Sequence, residues 1–199
     1  LIETGNTIKA LEEAKIFHSQ HKNNLDGIKL LAYTYIQLGN FEKVISILED
    51  GYKSRKDQQD FDYFNNLGYA LLKVEEFEKS IFNLERAIKI NTSEPGVFIS
   101  MAELYIKCRN FDKAKRFIEK ALDITKKIGP SSYVKYANLY LLMSEVNSAL
   151  KHDTKSISMF NDILNKEFNE NIFFLLANID PKSVKKKYIN KAEDKLSDN

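Results

Sequence analysis

The sequence predicts an all-α fold in which antiparallel helical hairpins stack into an α-α solenoid. Three observations lead there. A pattern of eight residues recurs after 34 positions without a gap, apolar residues elsewhere follow helical spacing, and 3 Pro and 7 Gly in 199 residues leave little chain for linkers. The recurrence lies within 61–128. Phe64, Leu67, Gly68, Leu71, Phe77, Ser80, Leu84 and Ala87 are followed one period later by Phe98, Met101, Ala102, Tyr105, Phe111, Ala114, Ile118 and Ala121. Aromatic, large and small residues return in step, as they do where supersecondary units cannot bury their apolar faces alone and stack to do so.

These positions resemble the tetratricopeptide repeat (TPR) family. The resemblance implies a right-handed superhelix, read here as one solenoid over 1–199, and the work of a protein-interaction scaffold or adaptor that takes a partner peptide or helix into its concave groove.

In 1–24, Gly5-Asn6 stands where the family turns between helices, and Ala10, Leu11, Ala14 and Phe17 then follow at helical spacing. This reads as the second half of a repeat, and because the chain opens at Leu1 instead of Met, further chain is expected to precede it. Residues 25–60 form the next repeat. Ile28, Leu31, Ala32 and Tyr35 make the apolar stripe of its first helix, Gly39-Asn40 the turn, and Phe41, Val44, Leu48 and Gly51 the stripe of its second. Its polar end, 53–60, is expected to be a connector. The two regular repeats, 61–94 and 95–128, follow, and small residues at Ala32, Gly68, Ser80 and Ala87 allow close approach of helix axes.

After them the period lengthens, since Ala114 finds its counterpart at Ser156, 42 residues on. Eight extra residues entering around Gly129-Pro130 amount to about two helical turns. The helices on both sides are expected to be extended, with Ser131 or Ser132 capping one that runs to about Leu150. Tyr140, Met143 and Ser144 then replace Phe98, Met101 and Ala102, while Asn147 and Asp153 stand where Tyr105 and Phe111 stood. The lengthened repeat, 129–166, is similar to those of kinesin light chain. Capping helices are expected over 167–199: a short apolar one at 172–177, then a Lys-rich one from about Pro181 to Leu196, lined on one side by Val184, Tyr188, Ala192 and Leu196.

Composition narrows the function classes. Thirty basic against 28 acidic residues give a net charge of +2, which argues against a nucleic-acid footprint over the whole chain. No apolar run reaches the ~18 residues of a membrane span. The lone Cys108 cannot form an internal disulfide, which favours a reducing, cytoplasmic setting, and its place beside Leu38 and Val74 in the repeat alignment reads as a small core residue. No glycine-rich phosphate loop, H-E-x-x-H, C-x-x-C or G-x-S-x-G motif occurs. Glu75-Glu76 reads as a solvated turn. His18 and His21 lie three apart on a helix without a third ligand in view, so no metal, cofactor or small-molecule substrate is expected.

What remains is recognition. By the resemblance, the groove is lined by Asp26, Lys29, Tyr33, Ile36 and Gln37, then Asp62, Asn65, Tyr69, Leu72 and Lys73, then Ile99, Glu103, Ile106 and Lys107. The result is an apolar and aromatic track edged by lysines, suited to a peptide with apolar anchors and some acidic residues. The alternative class is an arm that presents substrate to a catalytic domain elsewhere in a longer chain. Two narrower readings find less support. Lys29 and Asn66 fall on two positions of the carboxylate clamp that holds chaperone tails, but Tyr33, Gly96 and Ser100 replace the other three. A pentatricopeptide-type RNA reader would want a 35-residue period and a Pro-Asp ending that are absent. Lys182, Lys185, Lys186, Lys187, Lys191 and Lys195 read as the solubilising face of a terminal helix, since no Arg joins them.

Overall fold

The computed structural model describes residues 4–21, 24–53, 57, 59–128, 137–150, 153–166, 173–174, 176–177, 182 and 184–197. Ten helices stand among them: α1 (Thr4–Gln20), α2 (Leu25–Gln37), α3 (Phe41–Tyr52), α4 (Phe61–Lys73), α5 (Phe77–Ile90), α6 (Pro95–Lys107), α7 (Phe111–Ile128), α8 (Ala137–Ala149), α9 (Asp153–Lys166) and α10 (Lys186–Ser197). No strand occurs among the described residues. The chain divides into two compact units, Leu1–Ser93 and Glu94–Asn199.

In the first unit α2 pairs with α3 and α4 with α5; α1 packs on α2, α3 on α4, and α2 also meets α4. The helix starts follow capping chemistry. The side chain of Asn24 accepts from the amides of Asp26 and Gly27, and that of Asp60 accepts from the amide of Tyr63 at 3.1 Å. Ala32, Val44, Leu48, Tyr52, Leu84 and Ala87 are wholly buried. At Gly68 the approach of α5 is so close that a Cβ would lie 2.8 Å from the Leu84 side chain and 3.1 Å from its backbone nitrogen. Small size at this position is therefore a geometric requirement.

Three turns repeat one device. Gly39, Glu75 and Arg109 occupy the left-handed region at φ 70°, 64° and 55°. Each donates its amide to a carbonyl three residues back, while the next residue donates to one five back, as Asn110 does to Tyr105 at 2.8 Å. This double closure uses carbonyls that the last helical turn leaves open.

In the second unit α6 pairs with α7 and α8 with α9, α7 packs on α8, and α6 also meets α8. Met101, Ala102, Ala114, Ile118, Ala121, Val146, Phe160 and Leu164 are buried. The Tyr105 and Phe117 rings stack at 5.5 Å, 8° from parallel. As expected from the longer period, α7 runs 18 residues against 14 for α5. The polar departure at Asn147 is absorbed in the core, where its amide nitrogen donates to the Ser156 hydroxyl at 2.9 Å.

Several expectations are corrected. Gly5-Asn6 is no turn between helices, because both lie in the first turn of α1, which starts at Thr4. Cys108 is exposed, as the residue that closes α6, and the equivalent Leu38 and Val74 close α2 and α4, so this position marks a helix end and not the core. The last helix starts at Lys186, with Val184 and Lys185 non-helical before it. Tyr188 lies on its buried side as anticipated. Gly129-Pro130, the Ser131 or Ser132 cap and Pro181 lie outside the described residues, as do the side chains of Tyr140, Asp153, Ala192, Lys195 and Leu196.

Candidate functional site

The anticipated groove residues of the first unit sit on α2 and α4, two helices in contact. Tyr33 is 56% exposed and stands free on α2. Its counterpart on α4, Tyr69, is half-buried. The Tyr69 ring meets Phe41 edge-on at 5.9 Å, and the Lys73 ammonium lies 4.8 Å from its centre, a cation-π contact that leaves one tyrosine braced and the other open. Ile36 is half-buried, as is Asn65, whose Oδ1 is enclosed without a hydrogen-bond partner. Leu72 is a correction: it is fully buried, so it belongs to the packing and not to an open face. The physical reason is width. An apolar stripe on a central helix of a repeat covers more than its hairpin partner alone, and position 72 falls inside it.

Lys29 differs most from its expected role as an edge cation. Its ammonium makes a short contact with Asp60 Oδ2 and lies 3.2 Å from Asp62 Oδ2. Burial works against its charge, but the hydrogen bonds with Asp60 and Asp62 outweigh that and hold its pKa above the ordinary lysine range. A cation already shared by two carboxylates offers little to an acidic tail, so the chaperone-clamp reading loses one of its two residues. Beside this cluster Tyr52 is wholly buried with an unpartnered hydroxyl, its pKa pushed up to about 12, first by burial and then by the charge of Asp60.

Asp60 and Tyr52 were missed, and Asp62, expected on the groove, was not paired with Lys29. Asp60 did carry a signal, as an N-cap residue placed directly before the Phe61 helix. Its bond to Lys29 joins residues 31 apart and has no sequence signature.

On α6, in the second unit, Ile99 is buried and is likewise corrected to a packing residue. Glu103 and Ile106 are half-buried, and Lys107 is exposed at the end of the helix. The described residues include no group of three or more His, Cys, Asp or Glu that would hold a metal ion, and no helix long and apolar enough to cross a membrane.

A family model, the fourth ARM domain of tetratricopeptide repeat protein 21, matches residues 63–173, more than half of the chain. The chain belongs to this TPR-type repeat family. Among curated proteins, it is 23% identical over 161 residues to the BBSome complex member BBS4 homolog of Drosophila melanogaster, covering 76% of this chain and 32% of that protein. It is 27% identical over 94 residues to tetratricopeptide repeat protein 21A of Mus musculus, covering 47% of this chain and 7% of that one. The TPR chain thus spans a third or less of these relatives' lengths. Among solved structures it resembles the APC/C hetero-tetramer Cut9-Hcn1 with a TM-score of 0.72 at 13% identity, covering 88% of this chain and 33% of that one. It also resembles the MamA protein, at 0.62 and 21% identity, with 82% and 84% covered. At such identities these likenesses show the repeat fold. Family and fold together are those of protein-interaction scaffolds.

Proposed function

We propose that the chain is a non-catalytic adaptor whose first unit binds a partner peptide or helix on the face formed by α2 and α4. The observation that carries this reading is Tyr33, a large aromatic side chain more than half exposed on a helix otherwise packed on α1, α3 and α4. In this reading Tyr69 and Ile36, half-buried on the same two helices, extend it into an apolar strip. Aromatic anchors of this kind supply much contact area for little lost side-chain entropy, and they dominate the energy of peptide recognition. Neutralisation of Lys29 by Asp60 and Asp62 shifts the expected ligand away from acidic peptides and towards apolar anchors. Protein partners and a cytoplasmic setting belong to the same reading, as does the equivalent α6 surface of Glu103, Ile106 and Lys107 in the second unit, taken by itself.

A displayed random-peptide library selected on the chain tests this. Enriched peptides should carry apolar or aromatic anchors and lose at least tenfold in affinity for Tyr33→Ala/Tyr69→Ala, with helicity and melting of that variant retained. Peptides that bind the double variant as well as the parent would refute the assignment.

A further inference from the structure

The lysine-rich start of α10 is arranged more specifically than a solubilising face requires. From 182 to 191 there are five lysines and no acidic residue. Lys185 and Lys187 both lie over the Tyr188 ring, 5.9 and 5.0 Å from its centre, and they also converge on one atom. Both ammonium groups reach the side-chain oxygen of Asn165 on α9, Lys187 at 2.8 Å and Lys185 at 3.4 Å, so they cannot lie further apart than those two bonds combined. The hydroxyl of Tyr188 donates to the same oxygen at 2.6 Å, with the Asn161 carbonyl a more distant acceptor at 3.3 Å. An amide oxygen has two lone pairs and no charge, and here it faces three donors, two of them cations. The acid whose charge reaches Tyr188 is Asp162, exposed one turn earlier on α9.

We infer that Lys185, Lys187, Tyr188 and Asn165 form a binding site for a phosphate group, borne by a lipid headgroup or free in solution. A phosphate oxygen supplies the negative charge and spare lone pairs that the amide oxygen lacks, and charge-assisted bonds of this type are roughly twice as strong as neutral ones. Nucleic acid fits less well. Tracking a strand calls for aromatic surfaces on which bases stack, and the one aromatic ring of the cluster, Tyr188, is buried. Lys186 and Lys191, both exposed, add attraction around the site without entering it.

Calorimetry with inorganic phosphate, and co-sedimentation with phosphatidylcholine vesicles that contain or lack a phosphoinositide, test the inference on the 199-residue chain. Two variants remove the same charge: Lys185→Gln/Lys187→Gln at the site and Lys186→Gln/Lys191→Gln beside it. The expected result is binding that falls at least tenfold in the first and less than threefold in the second. Binding of inorganic phosphate supports a free phosphate as ligand; binding of phosphoinositide vesicles alone supports the headgroup. Equal losses in both variants would mean diffuse attraction and overturn the site, as would binding to neither probe. Single-stranded RNA held more tightly than either probe would also overturn it. All four lysines are exposed and glutamine keeps an N–H donor for Asn165, so the helical signal and melting temperature of both variants should stay close to the parent's.

Discussion

The Ser80 hydroxyl donates a 2.7 Å hydrogen bond to the carbonyl of Gly68, linking α5 to α4 at their closest approach. Serine and glycine are paired here because neither separates the helices, and the bond spends a hydroxyl that would otherwise be buried without a partner. Gly68→Ala should cost about 1–3 kcal/mol, since its Cβ meets both the side chain and the backbone of Leu84 and the hairpin must open. Urea unfolding measures this. A midpoint unchanged by the substitution would show that the helices are less closely held.

The left-handed turns provide a stabilising test. At Arg109 a residue with a Cβ holds φ 55°, where the equivalent Gly39 carries no penalty. Arg109→Gly should stabilise the chain by roughly 0.5–1 kcal/mol, after the greater entropy of the unfolded glycine is offset. The next position offers a second gain. Asn40 and Asn110 cap α3 and α7 through their side chains, while Glu76 makes no such bond for α5. Glu76→Asn should add about 0.5–1 kcal/mol, less whatever its exposed pairing with Lys79 contributes. Thermal melts of each single variant check both.

The Asn147–Ser156 pair should behave as a unit. Ser156→Ala leaves the Asn147 nitrogen without its partner beside an oxygen that already has none, at a cost of about 1–3 kcal/mol. Combining Asn147→Leu with Ser156→Ala removes both polar groups and should recover most of that loss. A double-mutant cycle read from urea midpoints distinguishes this coupling from simple additivity.

Alkaline pH tests Tyr52, whose share is read from the difference between Tyr52→Phe and the parent because Tyr63 and Tyr188 are raised as well. Burial and then Asp60 raise its pKa to about 12 from an ordinary value near 10, so the folded state holds this proton more tightly than the unfolded state does. The associated stability is present in full below pH ~10 and is lost as pH rises towards the folded value. The raised pKa of Lys29 acts in the same direction. Tyr52→Phe should melt within a degree or two of the parent at pH 7, because the hydroxyl is unpartnered, and should lose less stability between pH 10 and 12. Melting curves at stepped pH values decide it.

The repeat was legible because burial imposes size at fixed intervals. Gly68 and Ala102, 34 residues apart, both lie at helix contacts, and their smallness survives in the sequence as a period, with Ala32 two residues out of step before them. The turns were only half legible. Gly39 announces its left-handed backbone, whereas Glu75 and Arg109 adopt the same geometry through hydrogen bonds that their side chains do not advertise. Groove positions inherited from register alone gave Tyr33 an open setting but included Leu72 and Ile99, which packing had already claimed. Long-range polar partners were not legible. Nothing in the sequence pairs Asp60 with Lys29, or Asn165 with Tyr188, because such bonds depend on where packed helices place their ends.

Asp60 divides its two oxygens between neighbours: Oδ1 receives the Tyr63 amide and Oδ2 receives Lys29. One carboxylate thus starts α4 and ties that start to α2. The repeat beginning at Leu25 is two residues longer than the one beginning at Phe61, and the surplus lies upstream of this knot. The start of α4 is therefore set by its tie to α2 and not by the number of residues that precede Asp60, so a connector of another length could lead into the same α2–α4 contact.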